Sequence, residues 1–247
     1  MPTATVEIPT GDGTADAFLS KPDDERHPGV LFVMDALGLR PVIAEMTERI
    51  ASQGYVVLAP NVFYRAGRAP VIPLPDLSSP DARGPFFQKL RPLIEQLTPE
   101  AVERDGRAYL DYLATVAGEP FAITGYCMGA RVGMRIAAAY PERVAALAGF
   151  HGGGLATDAP DSPHLLAERL SAEVYFGHAD NDQSNTPEQI ATLEQGLDQA
   201  GVVHRSEVYP GAIHGYTMAD MPAYGEEHAE RHFRELFALL ERTLEHR

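Results

Sequence analysis

The chain has 247 residues, of which 45% are hydrophobic, and this length and composition favour one globular domain over residues 1–247. Its formal net charge of −15 at pH 7 argues against nucleic acids and anionic membrane surfaces as partners, because both repel an acidic protein. The chain has one cysteine, which excludes an intramolecular disulfide. Neither a secretory signal nor an apolar run of roughly 18 residues is visible, so we expect a cytoplasmic protein.

Short apolar runs alternate along the chain with amphipathic stretches. Strands are predicted over 3–8, 16–19, 30–34, 55–59, 121–125, 144–150, 172–177 and 203–209. Helices are predicted over 41–53, 99–116, 130–140, 187–200 and 226–244. The segment 61–99 is rich in proline, glycine and arginine, and we interpret it as an irregular surface excursion that forms a wall of a binding site.

The alternation of strands and helices predicts an α/β fold with a mostly parallel, eight-stranded sheet and helices on both faces. No GxGxxG motif follows the early strands, so the usual signature of a dinucleotide-binding fold is missing. An antiparallel strand pair at the start of the chain favours an α/β-hydrolase fold over a Rossmann-type fold.

Cys127 lies in the segment GYCMG, directly after a predicted strand and before a helix rich in small residues. A nucleophile elbow has this arrangement, because the close packing of strand against helix leaves room only for small residues around a strained, exposed side chain. The positive end of the helix also favours a thiolate there. A buried structural cysteine is the alternative, but the flanking glycines favour a nucleophile.

The base and the acid of such a site are expected after the last two strands, in that fold's chain order of nucleophile, acid and histidine. His214 follows the last predicted strand, where the base is expected. Two aspartates follow the penultimate strand. The acid in this fold commonly lies three residues after the end of the strand and a few residues before a proline. Counted from Gly177, this spacing selects Asp180; counted from Ala179, with Pro187 beyond, it selects Asp182. We prefer Asp182, and Asp180 is then a loop or helix-capping carboxylate.

An oxyanion hole needs two backbone N–H groups directed at the developing charge. We expect one from Met128, the residue after the nucleophile, and the other from Ala36, in the loop after the third strand. Tyr64, Phe150 and His151 are candidates for the walls of the substrate pocket, although each fits ordinary packing equally well. No Cys/His cluster has the spacing of a zinc site, so no metal and no cofactor is predicted.

The GYCMG segment, the acid loop and the GAIHGY segment together resemble the dienelactone hydrolase family, over nearly the whole chain. The resemblance implies that Cys127, His214 and Asp182 form a Cys-His-Asp triad, and that the partner is a small-molecule ester or lactone. In that family an acidic residue after the third strand, normally glutamate, contacts the resting thiol. Asp35 occupies the matching position here, and the alternative for it is a carboxylate that caps the following helix.

One part of the family's pattern is missing. In members that cleave 4-carboxymethylene-butenolide, arginines hold the substrate carboxylate, and one of them follows the catalytic histidine closely. The residues directly after His214, Gly215-Tyr216-Thr217-Met218, include no arginine, which leaves Arg65 and Arg83 of the irregular segment as candidates for supplying charge. We therefore expect a more apolar ester or lactone, hydrolysed through a thioester by a monomer or homodimer. The alternatives are a promiscuous esterase or phosphotriesterase with the same triad, and a redox-sensing, non-catalytic relative.

Overall fold

The computed structural model describes residues 3–77 and 79–244. All eight predicted strands are present and form one sheet. The strands are β1 (Ala4–Thr10), β2 (Gly13–Ser20), β3 (Pro28–Val33), β4 (Val56–Pro60), β5 (Gly118–Tyr126), β6 (Val144–Phe150), β7 (Glu173–Ala179) and β8 (His204–Tyr209). The α-helices are α1 (Pro41–Ala51), α2 (Pro80–Glu95), α3 (Pro99–Val116), α4 (Met128–Ala139), α5 (Pro187–Gln199) and α6 (Glu226–Leu244), with short 3-10 helices at Tyr64–Ala66 and Pro163–Arg169.

The strand order in the sheet is β1-β2-β4-β3-β5-β6-β7-β8. Strand β2 pairs antiparallel with both β1 and β4, whereas the other strand pairs are parallel. The predicted mostly parallel eight-stranded sheet of an α/β-hydrolase is therefore confirmed. After β3 the chain continues to β4, towards one edge of the sheet, and after β5 it continues to β6, towards the other edge. A crevice therefore opens between the carboxyl ends of β3 and β5, where ligands bind in such sheets.

Helices cover both faces of the sheet, as the pattern of β6 demonstrates. A Cβ atom on Gly149 would lie 3.2 Å from the side chain of Ala130 on α4. The next residue, Phe150, instead packs its ring against His232 of α6, with ring centroids 4.7 Å apart. Because successive residues of a strand face opposite sides of a sheet, α4 and α6 lie on opposite faces. Within residues 3–77 and 79–244, no helix is both long enough and apolar enough to cross a bilayer.

The segment predicted as irregular, 61–99, contains the 16-residue helix α2. The prediction was wrong there because Pro85 and Pro92 are inside the helix, and interior prolines ordinarily indicate a break. Each proline removes one helical hydrogen bond, but the helix also buries the side chains of Phe86 and Leu90 in the hydrophobic core. Tertiary packing therefore outweighs the local preference, and α2 lies over the carboxyl-end side of the sheet.

Candidate active site

Cys127 forms a sharp turn between β5 and α4. Its φ of 53° and ψ of −117° lie outside the regions that non-glycine residues normally adopt, and its N–H donates to the carbonyl of Phe150 at 3.0 Å. The flanking glycines are required by close packing. A Cβ atom on Gly129 would lie 2.6 Å from the carbonyl oxygen of Met34, and one on Gly125 would overlap the backbone of Gly129. The strained turn thus presents the thiol at the crevice.

A continuous row of contacts connects the thiol to a buried carboxylate. His214 Nε2 lies 3.1 Å from Cys127 Sγ, and His214 Nδ1 lies 2.5 Å from Asp182 Oδ2. The other carboxylate oxygen of Asp182 accepts hydrogen bonds from Ser184, from its N–H at 2.8 Å and from its hydroxyl at 2.6 Å. The structure therefore brings together the three residues predicted as a triad. It also adds Ser184, whose place two residues after an aspartate is typical of a turn in which the two side chains and backbone form hydrogen bonds, so the sequence could have indicated it.

Asp180, the other candidate acid, has a different position. One of its carboxylate oxygens accepts a hydrogen bond from the N–H of Gly211 at 3.0 Å, and its own N–H donates to the carbonyl of Ala212 at 2.8 Å. It thus joins the acid loop to the start of the loop that carries His214. The histidine itself bonds to Asp182, so the geometry separates the two aspartates that the spacing left open.

His214 and Asp182 stabilise each other's charged forms. Burial by itself disfavours a charged imidazole, but Asp182 and Cys127 outweigh this effect and raise the pKa of His214 to about 10. Burial also works against the ionised form of Asp182, yet its hydrogen bonds with His214 and Ser184 hold the pKa of this carboxyl below its usual range. His214 is therefore an imidazolium at neutral pH in the absence of substrate, next to the sulfur.

This raised pKa predicts a pH-dependent part of the stability. In the unfolded chain a histidine has a pKa of about 6.5. The folded state thus holds the His214 proton more tightly, which stabilises it fully below about pH 6.5, and this stabilisation is lost as the pH rises to about 10. We expect the free energy of unfolding of the wild type, relative to that of His214→Gln, to fall across this window in urea titrations. A difference that does not vary between these pH values would contradict the assignment.

The two backbone N–H groups expected to bind an oxyanion have no acceptor among the residues that the structure describes. They belong to Met128, at the first position of α4, and to Ala36, after β3. Both residues are buried overall, and most backbone N–H groups in such segments of folded proteins have a partner. Their positions next to Cys127 in the chain and at the carboxyl end of the neighbouring strand fit donors that are reserved for a reacting group.

Asp35 has partners other than those predicted. Both of its carboxylate oxygens accept hydrogen bonds from Arg40, at 2.7 and 3.0 Å, and one also accepts from the N–H of Leu37 at 3.0 Å. Within the described part of the chain, no hydrogen bond joins Asp35 to Cys127, so the expected contact with the resting thiol is corrected. The carboxylate does not cap α1 either, since Arg40 is the N-cap residue of that helix.

Arg40 also reaches the loop that follows His214. Its Nε donates to Asp220 at 2.6 Å, and its Nη1 donates to the carbonyl of Gly38 at 3.1 Å. The guanidinium is buried and links the loop after β3 with the loop after β8, so it fixes the Ala36 segment relative to the histidine loop. Sequence analysis missed this bridge, because 180 residues separate Arg40 from Asp220 and neither residue belongs to a motif.

We expect the two carboxylates of this bridge to contribute unequally to stability. The side chain of Asp35 is 6% exposed and that of Asp220 is 31% exposed. Loss of a hydrogen-bonded charge costs more in a buried place, so Asp35→Asn should lower the free energy of unfolding by about 2 kcal/mol. Asp220→Asn should lower it by about 1 kcal/mol or less. Urea titrations of both variants check the order, and the reverse order would contradict it.

Two of the three predicted pocket residues lie elsewhere. Phe150 is fully buried in the core, between Tyr126 and Tyr175, because the alternation of β6 directs its side chain towards α6. Tyr64 is also buried, and its hydroxyl donates to Asp105 at 3.0 Å. Phe150 nevertheless contributes through its backbone, since its carbonyl accepts the N–H of the elbow cysteine.

His151, the third predicted pocket residue, lies behind His214. The two rings meet edge to face, with centroids 5.3 Å apart, and His151 Nε2 shares a 2.7 Å hydrogen bond with the hydroxyl of Thr217. His151 has a φ of 39° and is almost completely buried. Burial, together with the nearby charge of His214, lowers the pKa of His151 well below its usual range. It is therefore a neutral neighbour that packs against the His214 imidazole, rather than a pocket wall.

A cavity of about 400 Å³ adjoins His214, and we call it the histidine-side cavity. The residues that line it with His214 come from α2, the segment before it and the loop after β8: Leu77, Arg83, Phe87, Ile213, Met221, Pro222 and Ala223. The lining is largely apolar. Of the two arginines considered from the sequence, Arg83 belongs to this cavity, whereas Arg65 is paired with Asp105 and Asp12.

One group of side chains in the described residues has the composition of potential metal ligands. Asp23, Glu25 and His27, in the loop between β2 and β3, have ligand atoms within 4.8 Å of one another. His27 Nε2 lies 2.7 Å from a carboxylate oxygen of Asp23 there, and the two acidic residues are exposed. A hydrogen-bonded surface turn accounts for this group.

Comparison with known proteins identifies the family. The sequence model of the dienelactone hydrolase family matches residues 15–244. The chain belongs to this family. Among its relatives is a protein of Yersinia pestis, provisionally named carboxymethylenebutenolidase, which is 28% identical over 90% of this chain and 82% of its own length. A protein of Synechocystis with the same provisional name is 26% identical over 92% of this chain and 91% of its own length. The predicted family is thus confirmed.

Solved structures show the same fold. A crystal structure from Klebsiella pneumoniae, provisionally described as a dienelactone hydrolase, superposes with a TM-score of 0.82 at 23% identity, over 96% of this chain and 97% of the other. A dienelactone hydrolase-like promiscuous phosphotriesterase from metagenomic libraries has a TM-score of 0.74 at 19% identity, over 99% of this chain and 100% of the other. At sequence identities of 23% and 19%, these structural similarities establish the fold alone.

Proposed function

We propose that this member of the dienelactone hydrolase family hydrolyses carboxylic esters or lactones through a thioester on Cys127. The observation that carries the proposal is the row from the thiol through His214 to Asp182, with contacts of 3.1 and 2.5 Å. A nucleophile, a base within reach of it and a third group that orients the base are the parts that acyl transfer requires. The family's relatives named carboxymethylenebutenolidase support an ester or lactone as substrate.

The first step is acylation of the thiol. The Cys127 thiolate attacks the carbonyl carbon, a C–S bond forms, and the carbonyl oxygen becomes an oxyanion that accepts hydrogen bonds from the N–H groups of Ala36 and Met128. When this intermediate collapses, the C–O bond to the leaving group breaks. His214 gives its proton to the departing alkoxide, while Asp182 keeps the imidazole in the orientation that this transfer needs.

The second step is hydrolysis of the thioester. His214, now neutral, takes a proton from a water molecule, whose oxygen attacks the thioester carbonyl. The same two N–H groups donate hydrogen bonds to the new oxyanion. Collapse of the second intermediate releases the carboxylic acid and returns Cys127 as a thiolate beside the protonated imidazole. Cys127 and His214 can then react with another substrate molecule, and the two steps together consume one water molecule.

The histidine-side cavity indicates where the leaving group lies. His214 must reach the departing oxygen, so the alcohol part of an ester extends on this side of the thiol. The cavity is lined mainly by apolar side chains, among them Leu77, Phe87 and Met221, which favours an apolar alcohol part. This agrees with the missing arginine after His214 and argues for a substrate other than the butenolide itself.

A substrate panel tests the proposal. The purified protein should hydrolyse para-nitrophenyl esters and small lactones. Iodoacetamide should stop this hydrolysis by blocking the nucleophile, and its thiol target is Cys127 because the chain has no other cysteine. A phosphotriester in the same panel measures whether the thiol also accepts a phosphorus centre. Hydrolysis that survives complete alkylation, or the absence of hydrolysis of any ester or lactone in the panel, would refute the proposal.

A further inference from the structure

A second cavity, of about 440 Å³, lies at the opposite end of α2 from the histidine-side cavity, and we call it the arginine cavity. Its lining includes Ile94, Val102, Arg131, Arg135, Gly154 and Pro163. The first turns of α2 contribute to the histidine-side cavity and its last turn contributes to the arginine cavity. A helix of 16 residues is about 24 Å long, so α2 extends from one cavity to the other.

Arg131 has no partner in this cavity. It lies on α4, one helical turn after Cys127, and is half-buried, but it forms no hydrogen bond or ion pair with the residues that the structure describes. Arg135, on the same face of α4, differs, since it donates to the carbonyl of Asp161 at 2.5 Å and lies 3.6 Å from a carboxylate oxygen of Glu103. A charged group partly removed from water without a counter-ion costs free energy, which a bound anion would offset.

The guanidinium of Arg131 lies close to the catalytic row. Burial lowers its pKa, while the charge of Cys127 opposes this change, so the two groups are within electrostatic range of each other. A Cβ atom on Gly154 would lie 3.3 Å from Arg131 Nη1, and one on Gly153 would lie 3.1 Å from the hydroxyl of Ser184 in the acid loop. A segment without side chains therefore runs between the arginine and the acid loop.

The same segment offers unused backbone donors. It comprises residues 152–154 and directly follows His151, the neighbour of the catalytic imidazole. The N–H groups of Gly152 and Gly153 have no acceptor among the described residues. Of the acidic residues that line the cavity, Glu95 is paired with Arg91 at 2.8 Å, and Asp161 is exposed to solvent, which screens its charge.

We infer that Arg131 anchors a subsite for a carboxylate carried by the acyl part of the substrate. The inference rests on the proposed function, because it assigns the two sides of the scissile bond. His214 protonates the leaving alcohol, so the alcohol lies towards the histidine-side cavity, and the acyl chain extends from Cys127 towards the arginine cavity. The preferred substrates are then monoesters of short dicarboxylic acids, with an apolar alcohol part.

Two esters of equal length test this subsite. The mono-para-nitrophenyl ester of glutaric acid carries a carboxylate where para-nitrophenyl valerate carries a methyl group. Loss of a hydrogen bond between charged groups weakens an interaction by about 10-fold or more, so Arg131→Met should lower the ratio of kcat/KM for the anionic ester to that for the neutral ester by at least about 10-fold. Arg131→Lys should keep part of the ratio. Arg234→Met is the matched control, since it removes one exposed charge from α6.

A binding measurement separates this inference from the proposed function. In Cys127→Ala protein, glutarate should raise the melting temperature, and the added substitution Arg131→Met should abolish that rise, whether or not any ester is turned over. Glutarate binding that does not depend on Arg131, or no binding at all, would overturn the subsite. So would an ester ratio that Arg131→Met leaves unchanged or lowers no more than Arg234→Met does. Failure of the wild type to hydrolyse either ester would instead refute the proposed function.

Discussion

Asp182→Asn is expected to lower kcat on any ester substrate by about 10³–10⁴-fold, because the amide can no longer hold the imidazole in its productive tautomer or stabilise its charge. The carboxylate of Asp182 is 4% exposed and lies 2.5 Å from His214 Nδ1, so no water can readily replace it. Steady-state rates with a para-nitrophenyl ester measure the effect. Circular dichroism should show that the variant keeps the fold.

Asp180→Asn is the matched control, since it changes the same side chain two residues earlier. The carbonyl oxygen of the new amide can still accept the hydrogen bond from the N–H of Gly211. We therefore expect a change in kcat of less than about 3-fold, because Asp180 is only partly buried and forms no hydrogen bond with His214. Equal losses in the two variants, or a greater loss in Asp180→Asn, would show that the acid of the triad has been assigned to the wrong aspartate.

Gly129→Ala is expected to lower the free energy of unfolding by at least about 3 kcal/mol, the upper part of the range for overpacking. The new Cβ atom would lie 2.6 Å from the carbonyl oxygen of Met34 and would overlap that of Val33. These atoms are backbone, which cannot move aside as a flexible side chain can. The start of α4 would have to separate from the end of β3, which also displaces Ala36 from Met128 and lowers activity. Urea unfolding and ester turnover measure both effects.

The same substitution at a spacious position provides the comparison. Gly84 lies in α2, and a Cβ atom there would meet nothing within 4 Å. Alanine favours a helix by up to about 1 kcal/mol over glycine, but the following Pro85 disfavours any side chain before it, so we expect a change of at most about 1 kcal/mol in either direction. If Gly84→Ala and Gly129→Ala cost the same, the close packing of the elbow would not be the cause of the loss.

The parts of the structure that follow a repeating local pattern could be predicted from the sequence. The central parallel strands are continuous apolar runs and the first two strands flank a glycine-containing turn, so these strands were predictable, and the glycines around Cys127 indicate close packing of a strand against a helix. His214 was predictable from its place after the last strand. Each of these features depends on a few neighbouring residues, or on chain order within a known fold.

The features that could not be predicted depend on residues distant in the chain. The bridge from Asp35 through Arg40 to Asp220 forms only when two loops meet, and nothing in either loop specifies the other. Helix α2 was missed because its interior prolines oppose a helix locally, whereas its buried Phe86 stabilises one through the core. Phe150 was predicted as a pocket wall but lies in the core for a similar reason, since the neighbouring elements decide which face of β6 is directed towards the site.

The most direct test of the mechanism is the detection of an acyl group on Cys127. Wild-type protein mixed rapidly with para-nitrophenyl acetate and quenched in acid should carry one acetyl group, on the peptide that contains Cys127, and hydroxylamine should remove it as expected for a thioester. The adduct should form at least as fast as product is released. Turnover without an acyl group on this peptide, or turnover by Cys127→Ala at the rate of the wild type, would contradict the account.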